Sequence, residues 1–327
     1  MNAQEYIVSQ LNSLKEPGSV KNIPTNNQEM VEAIFLLLMS KKFRKYSIPE
    51  RNQLLIKTAI EKNVTTNEPI TISWPFGGYK LWRLEETPET DWAELFTIMY
   101  IAKWLKPICA LYSPGVRFTF WVDEVVISRM NNIPQTDLDT YQESFAQLLT
   151  FIELWLPTGI NFEVFLERSQ YENEEAFNTG LALEMENLQR QRSVHPQPLS
   201  ETAIRSIEMN VRVTPEQARD PLWKEKVDLM HNAYYCLQEK QNRLRPAYTS
   251  QNINAFTVFF EPNVIPIGST KTSIAKFWVG VGALQRRNNS LIETILTPSQ
   301  LEKTEFNWEN VNIPKLEGKN FSKIRVI

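Results

Sequence analysis

The run Val116-Arg117-Phe118-Thr119-Phe120-Trp121-Val122 constrains the fold more than any other part of the chain. It is aromatic and β-branched, it follows a Pro114-Gly115 turn, and it ends on Asp123 and Glu124, so it reads as a short strand whose carboxyl end carries charge. Helical patterns flank it. Upstream, Thr87-Pro88 opens a helix whose apolar residues Trp92, Leu95, Phe96 and Met99 keep i, i+3, i+4, i+7 spacing, with Pro107 closing the unit. Downstream, after the turn Asn131-Asn132-Ile133-Pro134, Thr136-Asp137-Leu138-Asp139 starts a second helix that runs through Phe145, Leu148, Leu149 and Ile152 to Leu156. A second strand, Ile160 to Leu166, again ends on charge, at Glu167 and Arg168. Helix and strand alternating in this way predict an α/β protein with a mainly parallel sheet. In such sheets ligands bind outside the carboxyl ends of the strands.

The rest of the chain extends that plan. Residues 1–70 read as a helical N-terminal lobe, with one helix over Met30 to Met39 and another begun by Ile48-Pro49-Glu50, and residues 71–327 as one continuous α/β domain. The basic stretch Lys41-Lys42-Phe43-Arg44-Lys45 between those helices reads as a solvated face, with docking of an anionic partner as the alternative. Asp220-Pro221 starts a long helix to Arg243 carrying Asp228, His231, Tyr234 and Tyr235. Ala255 to Phe260 predicts a third strand ending on Glu261-Pro262, and Ser273 to Val281 a further strand. From Thr297 a short capped helix leads into a weakly patterned polar tail.

Composition removes several function classes. At 327 residues and 42% hydrophobic content there is material for a substantial core. A net charge of −3 and the absence of dense Lys/Arg clustering argue against nucleic-acid binding. The longest apolar run, Ala33 to Met39, is too short to span a bilayer, and the N-terminus lacks a signal-peptide pattern, so a cytoplasmic protein without membrane attachment is expected. Cys109 and Cys236 lie far apart in apolar helical patterns and read as free thiols of a reducing compartment. There is no G-x-G-x-x-G, no complete Walker A and no G-x-S-x-G elbow, and His195 and His231 lack metal-ligand spacing, so neither a cofactor nor a metal is expected.

What remains is polar groups at strand ends and turns. Lys80 and Arg83 follow the pair Gly77-Gly78, which would let backbone approach a ligand. Ser269, Thr270 and Lys271, with Lys276 beyond, form a turn whose N–H groups and ammonium groups suit a phosphate. Asp123 and Glu261 end strands, where a carboxylate can act as a base or grip an amine, and His231 is a candidate acid on its helix. Each also has an ordinary structural reading, since charge at a strand end goes to water and a helical histidine is commonly packed. Trp74, Trp82, Trp92, Trp104 and Trp121 read as core, with Trp74 and Trp82 placed to line a pocket beside the glycines.

In order along the chain, Pro75-Phe76, Pro88 with its acidic helix start, Tyr112-Ser113-Pro114-Gly115-Val116, the strand to Asp123, and Asp137 through Tyr141 resemble the isocyanide synthase family, which includes the pyoverdine/dityrosine biosynthesis proteins. The likeness continues through Phe165-Leu166-Glu167, Asn232-Ala233-Tyr234-Tyr235, Phe256 to Pro262, Lys271 and Phe277-Trp278-Val279-Gly280, and so covers roughly residues 70–285 as short matches. The resemblance implies a Rossmann-like fold. It also implies a reaction in which the α-amine of an amino acid, an aromatic one foremost, gains one carbon from a pentulose phosphate to give an isonitrile or formamide. Lys80, Arg83 and Lys271 would then hold phosphate, Asp123 would accept a proton, and Glu261 would hold the amine. An iron- and 2-oxoglutarate-dependent oxygenase is the implied companion acting on the product. Four positions depart from the family pattern: Gly77-Gly78 replaces a basic residue, His231-Asn232 an Arg-Gly, Glu261 a histidine and Val279 a histidine. A scaffold kept for binding rather than catalysis, and an unrelated transferase using a nucleotide-linked donor, are the competing expectations.

Overall fold

The computed structural model describes residues 1–16, 18–20, 22–40, 48–166, 174–241, 243–246, 256–258, 264–267, 274, 276–288 and 290–327. Helix α1 (Ala3–Lys15) opens on a capping box in which Asn2 Oδ1 accepts from the Glu5 N–H at 2.8 Å and Glu5 Oε2 accepts from the Asn2 N–H at 3.0 Å. Its residues Ala3, Ile7, Leu11 and Leu14 form one buried stripe. There follow α2 (Asn27–Leu38), α3 (Glu50–Thr66), β1 (Ile70–Pro75), α4 (Trp92–Leu111), β2 (Val116–Val122), a π-helical turn (Val126–Met130), α5 (Gln135–Glu153) and β3 (Ile160–Leu166). The second half brings α6 (Glu174–Val194), α7 (Glu201–Asn210), α8 (Pro215–Ala218), α9 (Trp223–Lys240), β4 (Leu244–Pro246), β5 (Phe256–Val258), β6 (Ile265–Pro266) and a 3-10 turn (Phe277–Val279). The chain closes with β7 (Val281–Arg287), β8 (Ser290–Leu296), α10 (Pro298–Leu301), β9 (Asn307–Asn310) and β10 (Lys323–Val326).

The main sheet has strand order β3-β2-β1-β6, and every pairing in it is parallel. Parallel neighbours need a crossover, and α4 and α5 supply those from β1 to β2 and from β2 to β3. Because β6 lies on the other side of β1, the winding reverses at β1, which makes its carboxyl end a topological switch point. The expected α/β architecture, a parallel sheet flanked by helices, is what the chain adopts. A second four-stranded sheet, ordered β8-β7-β10-β9 and mixed in direction, accompanies it. Helix α4 is buried on nearly all sides because it packs on β2 and β3 of the main sheet and on β7 and β8 of the second. The buried core is continuous, from Ala3 and Ile7 of α1 through the main sheet to Ile324 and Val326 of β10.

Several local expectations shift. Helix α4 begins at Trp92 rather than at Thr87-Pro88, because Asp91 is its N-cap and Glu94 completes the capping box. It also continues past Pro107 to Leu111. The segment Phe256–Val258 is not a strand of the main sheet. It pairs antiparallel with Leu244–Pro246, and Ile265–Pro266 takes the fourth place beside β1. Phe277–Val279 is a 3-10 turn and not strand, since Phe277 is drawn into an aromatic core with Trp74 at 5.9 Å and Phe76 at 5.8 Å. The polar tail supplies two strands of the second sheet. The basic stretch at 41–45 lies outside the described residues, as do Glu167 and Arg168.

Candidate active site

At the carboxyl edge of the main sheet, β1 runs out into Phe76, Gly77 and Tyr79, and β2 into Asp123 and the π-helical turn. These segments, with α7, α9 and the 3-10 turn, line a half-open cavity of about 220 Å³. Its walls are Phe76, Gly77, Tyr79, Asp123, Val126, Ile127, Asn131, Ser206, Ile207, Asn210, His231 and Trp278. Gly78 has φ +78°, and a Cβ there would meet Val122 Cγ1 at 2.3 Å, so the loop can lie against β2 only because that residue is glycine. Phe76 belongs to the ring cluster beneath the cavity, with Phe145 at 4.9 Å and Phe120 at 5.5 Å. The wall at Phe76 is therefore apolar, and the same cavity is lined by polar groups from the other segments.

Asp123 is half-buried, and its Oδ1 accepts from Trp121 Nε1 at 2.7 Å, a bond that holds the carboxylate in place two residues past the ring that donates. His231, half-buried on α9, has its pKa pushed below the ordinary 6.5 because burial disfavours the charged ring more than Asp228 favours it. It is thus uncharged near neutrality and able to take up a proton. Tyr79 is 7% exposed, and burial holds its phenol protonated well beyond the ordinary value of 10.0. Its hydroxyl donates to Asn210 Oδ1 and accepts from Asn131 Nδ2, both at a long 3.4 Å.

The candidates from the sequence divide as follows. Asp123 and His231 meet on this one cavity. Arg83 is exposed and is not among the wall residues; it donates to the carbonyl of Met209, next to the wall residue Asn210, at 3.4 Å. Lys276 is half-buried ahead of the 3-10 turn and is not among the wall residues. Glu261, Ser269, Thr270 and Lys271 lie outside the described residues. Lys80 departs from its expected role at a phosphate. Its side chain is fully buried, with Nζ 2.7 Å from Asp91 Oδ1 and 2.8 Å from Glu94 Oε2, so its charge is already matched inside the fold. Trp74, placed by its sequence position to line a pocket, is 0% exposed in the aromatic core. Tyr79, Asn131, Ser206 and Asn210 went unsuspected. Only Asn131 carried a signal, in the Asn-Asn-Ile-Pro turn that follows a strand end.

Among the described residues no three His, Cys, Asp or Glu side chains gather as metal ligands would, and no helix is long and apolar enough to cross a membrane. Cys109 and Cys236 are half-buried free thiols, and burial pushes Cys109 up to about 11.

The sequence matches no protein-family model and no curated protein. Among solved structures it is similar to the crystal structure of PvcA from Pseudomonas aeruginosa, at 16% sequence identity and a TM-score of 0.57, over 91% of this chain and 99% of that one. The likeness is one of fold.

Proposed function

We propose that the carboxyl-edge cavity is an active site, and that the protein is an isocyanide synthase-like enzyme transferring a one-carbon unit from a pentulose phosphate to the amine of an amino acid. The observation that carries this reading is the convergence of Asp123 and His231, from distant parts of the chain, on one cavity at a sheet edge of the kind that binds ligands. The short matches to the family along the sequence and the fold shared with PvcA support it. A cavity of about 220 Å³ is smaller than the ~300 Å³ at which pockets for drug-sized ligands begin, and so suits one amino acid. Phe76 and Trp278 on its walls favour an aromatic side chain.

The chemistry assigns a role to each group. An ammonium must lose a proton before its nitrogen can attack the sugar carbonyl, and Asp123, held by the Trp121 indole, is the acceptor. His231, uncharged at neutral pH, takes up and returns the protons that imine formation and sugar cleavage require. Arg83, bonded beside the wall residue Asn210, would meet the phosphate end of a reactant that the cavity itself is too small to hold. The product would pass to an iron- and 2-oxoglutarate-dependent oxygenase.

A second reading, a relative that keeps the scaffold for binding alone, draws on the enclosure of Lys80 by Asp91 and Glu94, which takes one expected cation out of reach. Incubation with L-tyrosine or L-tryptophan and ribulose 5-phosphate, followed by mass spectrometry, separates the two. An isonitrile or formamide product supports the enzyme, with Asp123→Asn lowering turnover by about 10²-fold or more. Binding of the amino acid without product supports the second reading. Stabilisation by nucleotides or nucleotide sugars alone would sink both.

A further inference from the structure

Helix α7 carries one part of the cavity wall on few supports. It is ten residues long, and Ser206, Ile207 and Asn210 belong to the wall. Glu201, Thr202, Arg205, Glu208 and Met209 of the same helix are exposed. Ile207 is its one buried residue. That side chain sits with Val211, Val227 and Trp223 in a small apolar cluster separate from the main core. A helix shorter than about 12–15 residues is marginal on its own in water, so α7 owes its place to that packing.

The two ends of the helix are held differently. At the carboxyl end Val211 is buried, and Arg212 is fixed through both backbone groups. Its N–H donates to the Asn131 carbonyl at 2.8 Å, and its carbonyl accepts from Asn132 Nδ2 at 3.0 Å. The Arg212 guanidinium also meets Asp137 Oδ2 at 3.3 Å. At the amino end the connection from α6 is residues 195–200, exposed apart from a half-buried Leu199, and Pro196 and Pro198 have no N–H to donate. Among the described residues, no hydrogen bond ties 196–199 to another element, and 201–205 bond only within the helix and its Ser200 cap. Between the ends, α7 is tied by the packing of Ile207, by the Glu208–Lys224 ion pair, and by two bonds at a long 3.4 Å. These run from the Tyr79 hydroxyl to Asn210 Oδ1 and from Arg83 Nη2 to the Met209 carbonyl.

We infer that α7 is a lid, hinged at Val211–Arg212 and latched by Ile207, which swings away from the cavity to admit the ligand and returns to cover it. The role given to the motion rests on the reading of the cavity as an active site. Elements with few buried apolar contacts open locally at far less cost than global unfolding. Asp123 and His231 stand on other elements, so the opening leaves them in place. Closure serves the proposed transfer by keeping water from the imine.

The test is amide hydrogen exchange, read by mass spectrometry on peptides from α7 and α9, with and without L-tyrosine. In the free protein the α7 amides are expected to exchange at least about 10²-fold faster than those of α9 around the buried Ala233 and Tyr234. Ile207→Ala, shown by its melting curve to be folded, should speed α7 by about a further tenfold and leave α9 unchanged. Lys224→Met cuts the Glu208 pair at a residue outside the cavity wall and should speed α7 by about twofold, which serves if Ile207→Ala does not fold. Saturating L-tyrosine should slow α7 by about tenfold or more. Exchange of α7 as slow as that of α9 in the free protein overturns the inference. So does L-tyrosine that binds by calorimetry and leaves α7 exchange unchanged, and so do α7 and α9 quickening together in Ile207→Ala. Should L-tyrosine not bind at all, the amino-acid reading of the cavity fails, and exchange in the free protein still decides whether α7 opens.

Discussion

Lys80 holds a positive charge where water does not reach it. Burial alone would discharge the ammonium, but Asp91 and Glu94 outweigh burial and keep its pKa above the ordinary 10.5. The sequence shows Lys80 as a cation after two glycines, and its helix signal at Thr87-Pro88 passes over Asp91 and Glu94. Nothing local reveals that the three meet, because the contact depends on the loop after β1 folding back over the N-terminus of α4. Lys80→Met should therefore leave the buried Asp91–Glu94 pair without its counter-charge and lower stability by about 3–5 kcal/mol in a urea titration. A loss under about 1 kcal/mol, the range of exposed pairs, would show that the cluster is open to water. Asp123 is the opposite case. Its position was legible as the charged end of a strand, and its tether to Trp121 was not. Trp121→Phe removes the donor at 2.7 Å while keeping most of the stacking on Phe165 at 4.7 Å, so kcat should fall with stability little changed. Equal kcat in the variant would show that the tether is idle.

At the scale of elements, β2, β3, α5 and α9 were legible because long apolar runs and clear helical periods carry their own signal. The second sheet was not. Its strand β9 is four residues long and mostly exposed, and β10 is equally short, so pairing rather than pattern makes them strands. Part of what seats that sheet on α4 is a contact no periodicity reports. Gly282 of β7 donates its N–H to Asp91 Oδ2 at 3.2 Å, and a Cβ at that position would lie 2.4 Å from Trp92 Cβ and 2.5 Å from the Ala93 nitrogen. The obstacle is helix backbone, which cannot swing aside as a side-chain tip can. Gly282→Ala must push β7 away from α4, and a cost of about 1–3 kcal/mol is expected from denaturant unfolding. A variant as stable as the wild type would mean that the second sheet is not seated on the helix as described.

For the whole molecule, the same cluster joins elements that are distant in sequence. Lys80 comes from the loop after β1, Asp91 and Glu94 from the start of α4, Tyr141 from α5 with its hydroxyl 3.1 Å from Glu94 Oε1, and Gly282 from the second sheet. Two carboxylates and one ammonium would leave a net negative charge in the interior. Burial, with the Asp91 charge adding to it and Lys80 opposing, raises Glu94 from its ordinary 4.5 to about 8. Near neutrality the folded protein therefore keeps a proton on Glu94 that the unfolded chain has released. The folded state binds more protons than the unfolded state between about pH 4.5 and 8, so stability from this group is fully present below that window and declines as pH rises through it. Glu94→Gln carries no titrating proton and should flatten that decline while keeping an oxygen for Lys80 and Tyr141. The measurement is unfolding free energy against pH for the two proteins. Parallel curves from pH 5 to 8 would show that Glu94 is ionised throughout, and that the interior tolerates the extra negative charge.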